Sequence, residues 1–203
     1  IVEGVYETPA QEHMYIEPCS TIADIDPMGK VTVWSSQQSV FIPRQLTAEA
    51  LGIPMTKLRF ITPQVGGAFG GKCGVTNQPV TVALALAANA PVKLTYTRSD
   101  DMIMNKSRHP SRIYMRTGAD SSGKLIAREA KIYFNTGAYA DEGPLIGSVA
   151  TFFSRGPYKI KNMNVETWCV YTNRTKAGAF RGFGVPQATF AGESQIDELA
   201  EKL

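Results

Sequence analysis

Four glycines in six residues, set around one phenylalanine, constrain this chain more than any other feature: Gly66-Gly67-Ala68-Phe69-Gly70-Gly71-Lys72. Glycine loses the most backbone freedom on folding, so a cluster of it needs a reason. Either the backbone must take φ > 0, or it must come very close to something, or both. Ala179-Phe180-Arg181-Gly182-Phe183-Gly184 repeats the theme with an arginine between two phenylalanines. Two such stretches in one small chain point to a flat or anionic ligand gripped by main chain.

Bulk properties narrow the class. At 203 residues the chain can bury one sizeable core, or two small ones. Its net charge of +3, with no block of like charge, argues against a nucleic-acid or membrane partner. Cys19, Cys73 and Cys169 form no C-x-x-C pair, and His13 and His109 are the only histidines. A metal site built from side chains of this chain is therefore not expected. The cysteine usage fits a reducing, cytoplasmic compartment. The start, Ile1-Val2-Glu3-Gly4, has neither the charge nor the apolar run of a signal peptide, and it reads as an excerpt from a longer protein.

Periodicity predicts a mixed α+β domain, a mixed sheet with packed helices, over 1–203. Strands are expected at 30–36, 58–62, 92–97, 112–117, 125–139 and 164–171, with a hairpin turn at Ser121-Ser122-Gly123-Lys124. Helices are expected at 43–51, closed by Gly52, at 78–90, and from Pro186 to the end. The 78–90 segment is ambiguous. Val80, Val82, Leu84 and Leu86 alternate like a strand, while its alanines and Pro79 favour a helix.

Three readings of the first glycine stretch compete. Gly66-x-x-x-x-Gly71-Lys72 matches most of a P-loop, which cradles phosphates on backbone N–H groups and reaches them with the lysine. The expected Ser/Thr magnesium ligand is, however, Cys73, and a helix starting at the lysine would enclose Pro79. A plain tight turn needs fewer glycines. The third reading is close backbone contact with a cofactor, the N–H groups of Gly67 to Gly71 donating to an anionic group.

Four stretches, taken together, resemble the molybdenum hydroxylases of the xanthine dehydrogenase and aldehyde oxidoreductase family. They are Gln11-Glu12-His13-Met14-Tyr15-Ile16-Glu17-Pro18, Val33-Trp34-Ser35-Ser36-Gln37-Gln38, Gln64 to Lys72, and Ala179 to Gln187. The resemblance implies the first molybdopterin-binding domain of the large subunit. It implies a molybdenum–molybdopterin cofactor, which in bacterial-type members often carries a cytosine dinucleotide. Iron–sulfur [2Fe-2S] clusters and FAD are expected on other domains or subunits, which with the remainder of the large subunit would be the partners. The reaction is hydroxylation of a small molecule at a C–H bond next to nitrogen or carbonyl, with oxygen from water.

Carried over residue by residue, the resemblance makes Gln37 a donor to an oxygen ligand of molybdenum. A strand-end glutamine facing water is the alternative. It places Gly67, Ala68, Phe69, Gly70, Gly71 and Arg181 on the cofactor. Gln37, Phe69 and Arg181 are then in the vicinity of the metal without ligating it. Phe183 would wall the substrate pocket. Xanthine-oxidising members carry a glutamate where this chain has Cys73, and an arginine near the position of Val149. Lacking both polar purine contacts, a site lined by Cys73, Val149 and Phe183 should favour an aldehyde or another N-heteroaromatic, such as a pyridine carboxylate. The family's catalytic base is a glutamate in the later half of the large subunit. Its motif does not stand in these residues, so no catalytic residue is assigned here, and neither Glu142 nor Glu193 replaces it.

Overall fold

The computed structural model describes Ile1–Leu203. In chain order the strands are β1 (Val2–Thr8), β2 (Ser20–Ile25), β3 (Val31–Ser35), β4 (Leu58–Ile61), β5 (Val92–Thr95), β6 (Ser111–Ala119), β7 (Leu125–Gly137) and β8 (Asn162–Tyr171). The helices are α1 (Phe41–Leu51), α2 (Gln78–Ala88), α3 (Arg98–Met104), α4 (Gly143–Phe153) and α5 (Val185–Lys202). The class is α+β, as expected. The chain forms two compact units, one from Ile1–Glu12 with Lys106–Leu203, the other from His13–Asn105.

In the first unit the sheet order is β1-β6-β7-β8, antiparallel except for the parallel β7–β8 pair. Alternation sends Ile113 and Met115 of β6 and Ala130, Ile132 and Phe134 of β7 to one face. There they pack with Ala150 of α4 and Ala188 and Ala191 of α5. Arg128 is buried among these elements. Its guanidinium donates to Thr117 Oγ1 at 3.0 Å, to the Ser154 carbonyl at 2.9 Å and to the Gly192 carbonyl at 3.3 Å.

The second unit has sheet order β4-β3-β2-β5, with β3 and β4 parallel and the other pairs antiparallel. Ala23, Val31, Val33 and Leu58 meet Ala48 of α1 and Val82 and Ala85 of α2. The ambiguous 78–90 segment is therefore a helix. Pro79 sits in its first turn, where its missing N–H costs nothing, and Asn89 caps its end in the left-handed region. Gly52 ends α1 in the same conformation.

The expected strands and the hairpin form where predicted, within a few residues at their ends. Periodicity does not predict four of the elements: β1, β2, α3 and α4. No helix is long and apolar enough to cross a membrane.

Candidate functional site: two strained glycine–phenylalanine loops

The second unit brings three of the four resemblance motifs to one polar knot. Lys72 is fully buried. Its Nζ donates to the Glu17 carbonyl at 2.8 Å, to Glu17 Oε2 at 2.9 Å and to Ser36 Oγ at 2.6 Å. It also lies 4.5 Å above the Tyr15 ring. Glu17 Oε2 further accepts from Ser36 Oγ at 2.6 Å and from the Gly66 N–H at 2.7 Å. Burial alone would raise the Glu17 carboxyl. The hydrogen bonds from Ser36, Lys72 and Gly66, with the lysine charge, outweigh it and hold the group below the usual carboxylate range.

This knot overturns the P-loop reading. The lysine is neutralised inside the protein and points at a carboxylate, and the next helix starts only at Gln78. It also gives each glycine a reason. A Cβ on Gly66 would stand 2.6 Å from Glu17 Cβ, and one on Gly71 would stand 2.8 Å from the Tyr15 ring. Gly67 and Gly70 take φ of +98° and +102°. Packing and backbone geometry thus explain the glycines without a ligand. They do not explain Phe69, a bulky residue at φ +52° that is 46% exposed. A non-glycine residue in that region costs about 1–3 kcal/mol and concentrates at functional sites.

The donors are fewer than the sequence suggests. The Gly70 N–H donates to Gln38 Oε1 at 2.9 Å, and the Gly71 N–H to the Ala68 carbonyl at 2.8 Å. The N–H groups of Gly67, Ala68 and Phe69 have no acceptor within the chain. The N–H groups open to an outside acceptor therefore narrow to these three, and Gly70 and Gly71 close the loop behind them.

Gln37 is 1% exposed, so the water-facing alternative is wrong. Its Nε2 donates to Thr62 Oγ1 at 3.1 Å, and its Oε1 lies 3.5 Å from Gln78 Nε2. One amide hydrogen is left for another acceptor. Gln78 in turn donates to Ser35 Oγ at 3.0 Å. A neutral buried network thus orients Gln37 from the end of β3. Cys73 follows the loop, half-buried and in no disulfide.

The first unit carries the second loop. Phe183 takes φ +49°, between Gly182 at +92° and Gly184 at +95°. Like Phe69, it is a left-handed phenylalanine flanked by left-handed glycine. Gly184 seats the turn on α4, since a Cβ there would meet the Ile146 carbonyl at 2.6 Å. Val149 lies on that same helix and is half-buried. Upstream, the Ala179 N–H donates to Glu142 Oε2 at 2.7 Å, which also receives Lys106 Nζ at 2.7 Å. Arg108 donates to the Arg181 carbonyl at 2.8 Å, and its guanidinium carbon stands 4.0 Å from the Phe180 ring centroid. The Arg181 carbonyl is thus engaged while its side chain is exposed. Glu142 and Glu193 are both committed, the latter to Tyr158 Oη at 2.6 Å.

Sequence reasoning does not single out Arg108, Gln38, Glu17 or Lys106 as site-forming residues. Of these, only Glu17 and Gln38 lie inside one of the four motifs. No three His, Cys, Asp or Glu side chains converge as a metal-ligand set.

The whole chain, residues 1–203, matches the sequence model of the Molybdopterin cofactor-binding domain family. The chain belongs to that family, as the cofactor-binding domain of a large subunit of the xanthine dehydrogenase and aldehyde oxidoreductase type. It is 39% identical over 203 residues to a probable xanthine dehydrogenase subunit of Bacillus subtilis, covering 100% of this chain and 27% of that protein. It is 38% identical over 203 residues to the Nicotinate dehydrogenase large molybdopterin subunit of Eubacterium barkeri, covering 100% of this chain and 48% of that one. Among solved structures, the aldehyde oxidoreductase from Desulfovibrio gigas superposes with a TM-score of 0.94 at 31% identity, over 99% of this chain and 22% of that one. The chain thus spans about a quarter to a half of the length of these curated relatives.

Proposed function

We propose that this chain is the molybdopterin-binding part of an oxidoreductase that hydroxylates an aldehyde or an N-heteroaromatic small molecule with oxygen from water. The observation that carries the reading is the arch Gly67-Ala68-Phe69, whose three N–H groups lack an acceptor while Phe69 is held left-handed beside them. Such an arch suits anionic oxygens, and the neutral amide of Gln37 can donate to an oxygen without adding charge. When bound, the molybdenum–molybdopterin cofactor supplies two-electron oxidation of a C–H bond. Gln37, Gly67, Ala68, Phe69 and Arg181 would hold it, with Gly70 and Gly71 shaping the arch, and Phe183 would stack on a planar substrate.

Cys73 and Val149 offer no hydrogen bond that would select a purine, and the 38% identical relative is named for nicotinate. The 39% identical relative is named for xanthine, so the preference for a pyridine carboxylate or an aldehyde rests on Cys73 and Val149. The base and the electron acceptors belong to the rest of the subunit and to iron–sulfur and flavin partners, in a reducing, cytoplasmic setting. Exposed apolar residues on α2 (Val80, Leu84, Leu86) and α4 (Leu145, Phe152, Phe153) support such cover, because a helix apolar on both faces is normally buried.

Replacing Gln37 by Ala in the full complex tests the assignment. Molybdenum per protomer, read by elemental analysis, and turnover should both fall, by about tenfold or more. Unchanged metal and unchanged rate would remove Gln37 from the site.

A further inference from the structure

We propose that Glu17 is a positioning residue that sets the curvature of the Gly67–Phe69 arch for the cofactor. The inference rests on the cofactor reading above and assigns a role to a residue that makes no contact with the proposed ligand.

The geometry is that of a clasp on both ends of one loop. At the near end, the Glu17 N–H donates to the Gly66 carbonyl at 3.1 Å, and the Gly66 N–H donates to Glu17 Oε2 at 2.7 Å. At the far end, Lys72 Nζ donates to the Glu17 carbonyl at 2.8 Å and to the same Oε2 at 2.9 Å. One carboxylate oxygen thus fixes where the loop leaves and where it returns. Ser36 Oγ pins that oxygen at 2.6 Å, and Ser36 directly precedes Gln37. A second staple, Gln38 Oε1, takes the Gly70 N–H at 2.9 Å and the Lys72 N–H at 3.3 Å. The amides of Gly66, Gly70, Gly71, Lys72 and Cys73 are all used in holding the ends, and only the three at the crown point elsewhere. Placement of a binding group within a fraction of an ångström depends on such supporting bonds.

A merely structural ion pair and a positioning clasp make opposite demands on the side chain. For the ion pair, charge matters most, because Lys72 is buried and an uncompensated charge there is costly. For the clasp, reach matters most, because the oxygen must meet Gly66 and Lys72 together. Glu17→Gln keeps the reach and loses the charge. Glu17→Asp keeps the charge and draws the oxygen back by one carbon–carbon bond. The two main-chain bonds of residue 17 survive in both variants, so the loop keeps its attachment.

Both variants, purified as the full complex, are assayed for molybdenum per protomer, for pterin by the fluorescence of its oxidised form, and for thermal midpoint. The expected orders are opposite. Glu17→Gln retains molybdenum and pterin close to wild type but melts at the lower temperature. Glu17→Asp melts higher yet loses cofactor by about tenfold or more. Wild-type cofactor content in Glu17→Asp overturns the proposal, as does a cofactor order that follows the melting order. If Glu17→Gln fails to accumulate as folded protein, the Glu17→Asp content decides alone. A wild-type complex without molybdenum and pterin overturns the cofactor reading and this inference with it, whereas a loaded wild type with an equally loaded Glu17→Asp overturns only the inference.

Discussion

His109 shows how far a single residue can be read. It is 1% exposed, its ring meets Phe134 edge-on at 5.8 Å, and its Nε2 has no hydrogen-bond partner. Burial lowers its pKa to about 4, with the Asp141 charge pulling the other way and the Lys106 and Arg108 charges adding to the fall. A base whose folded pKa lies below its ordinary 6.5 binds its proton more readily when unfolded. Its contribution is therefore neutral above pH 6.5 and increasingly destabilising as pH falls toward 4, reaching about 3 kcal/mol below that. The urea midpoint of the first unit should drop across that window. In His109→Asn the slope there should flatten, and an unchanged slope would assign the acid sensitivity elsewhere. Cys19 gives a second check at this scale. Burial pushes its thiol up to about 11. Alkylation of the folded protein at pH 8 should leave it unmodified, because only the thiolate reacts. Neither environment is visible in the sequence, where His109 and Cys19 are isolated residues. What a sequence does show is composition at a point, such as glycines around Phe69. The packing of Tyr15, Glu17 and Ile146 against those glycines comes from residues distant along the chain, and the positive φ of Phe69 and Phe183 is likewise invisible in the sequence.

Elements differ in legibility for physical reasons. The hairpin of β6 and β7 is local and carries its turn in Ser121-Ser122-Gly123-Lys124, so it is readable. The helix α4 is not. Its sequence, Gly143 to Phe153, holds two glycines, a proline, a serine, a valine and a threonine, all poor helix formers. It is helical because Gly143, Ile146, Gly147 and Ala150 form one buried face, with small residues letting it lie close to Thr167 and Cys169 of β8. Tertiary packing, not propensity, decides it. The helix α3 has only seven residues, too few for a periodic pattern, yet its start signal is present. Thr97 Oγ1 accepts from the Asp100 N–H at 3.1 Å, and the Thr97 N–H donates to Asp100 Oδ2 at 3.0 Å, a reciprocal capping box. Thr97→Ala should therefore lower the stability of the second unit by about 1 kcal/mol. Thr97→Ser, which keeps the oxygen, should restore most of it. Chemical denaturation of the two variants side by side checks the difference.

At the scale of the whole molecule, each unit carries its own sheet, its own strained loop and at least one buried cation. In the second unit Lys72 is neutralised by Glu17, whereas in the first Arg128 is held by carbonyl and hydroxyl oxygens of β6, α5 and the segment after α4. Three directions of donation from one planar group suit arginine and no other side chain. Burial lowers its pKa, with the charges of Glu193, Tyr158 and Tyr6 acting against that. Arg128→Lys keeps the charge but cannot reach three acceptors; the Gly192 carbonyl keeps its helical partner inside α5, whereas the Ser154 carbonyl and Thr117 Oγ1 lose a donor. The loss should be about 2–6 kcal/mol, set by two unmade hydrogen bonds at about 1–3 kcal/mol each. The chain supplies the means to localise it, because its two tryptophans fall one to a unit, Trp34 in β3 and Trp168 in β8. With Trp34 replaced by Phe, the remaining fluorescence reports the first unit. With Trp168 replaced, it reports the second. Arg128→Lys should shift the urea midpoint seen by Trp168 by the full amount. If the Trp168 midpoint stays in place, the three hydrogen bonds of Arg128 do not hold that unit together.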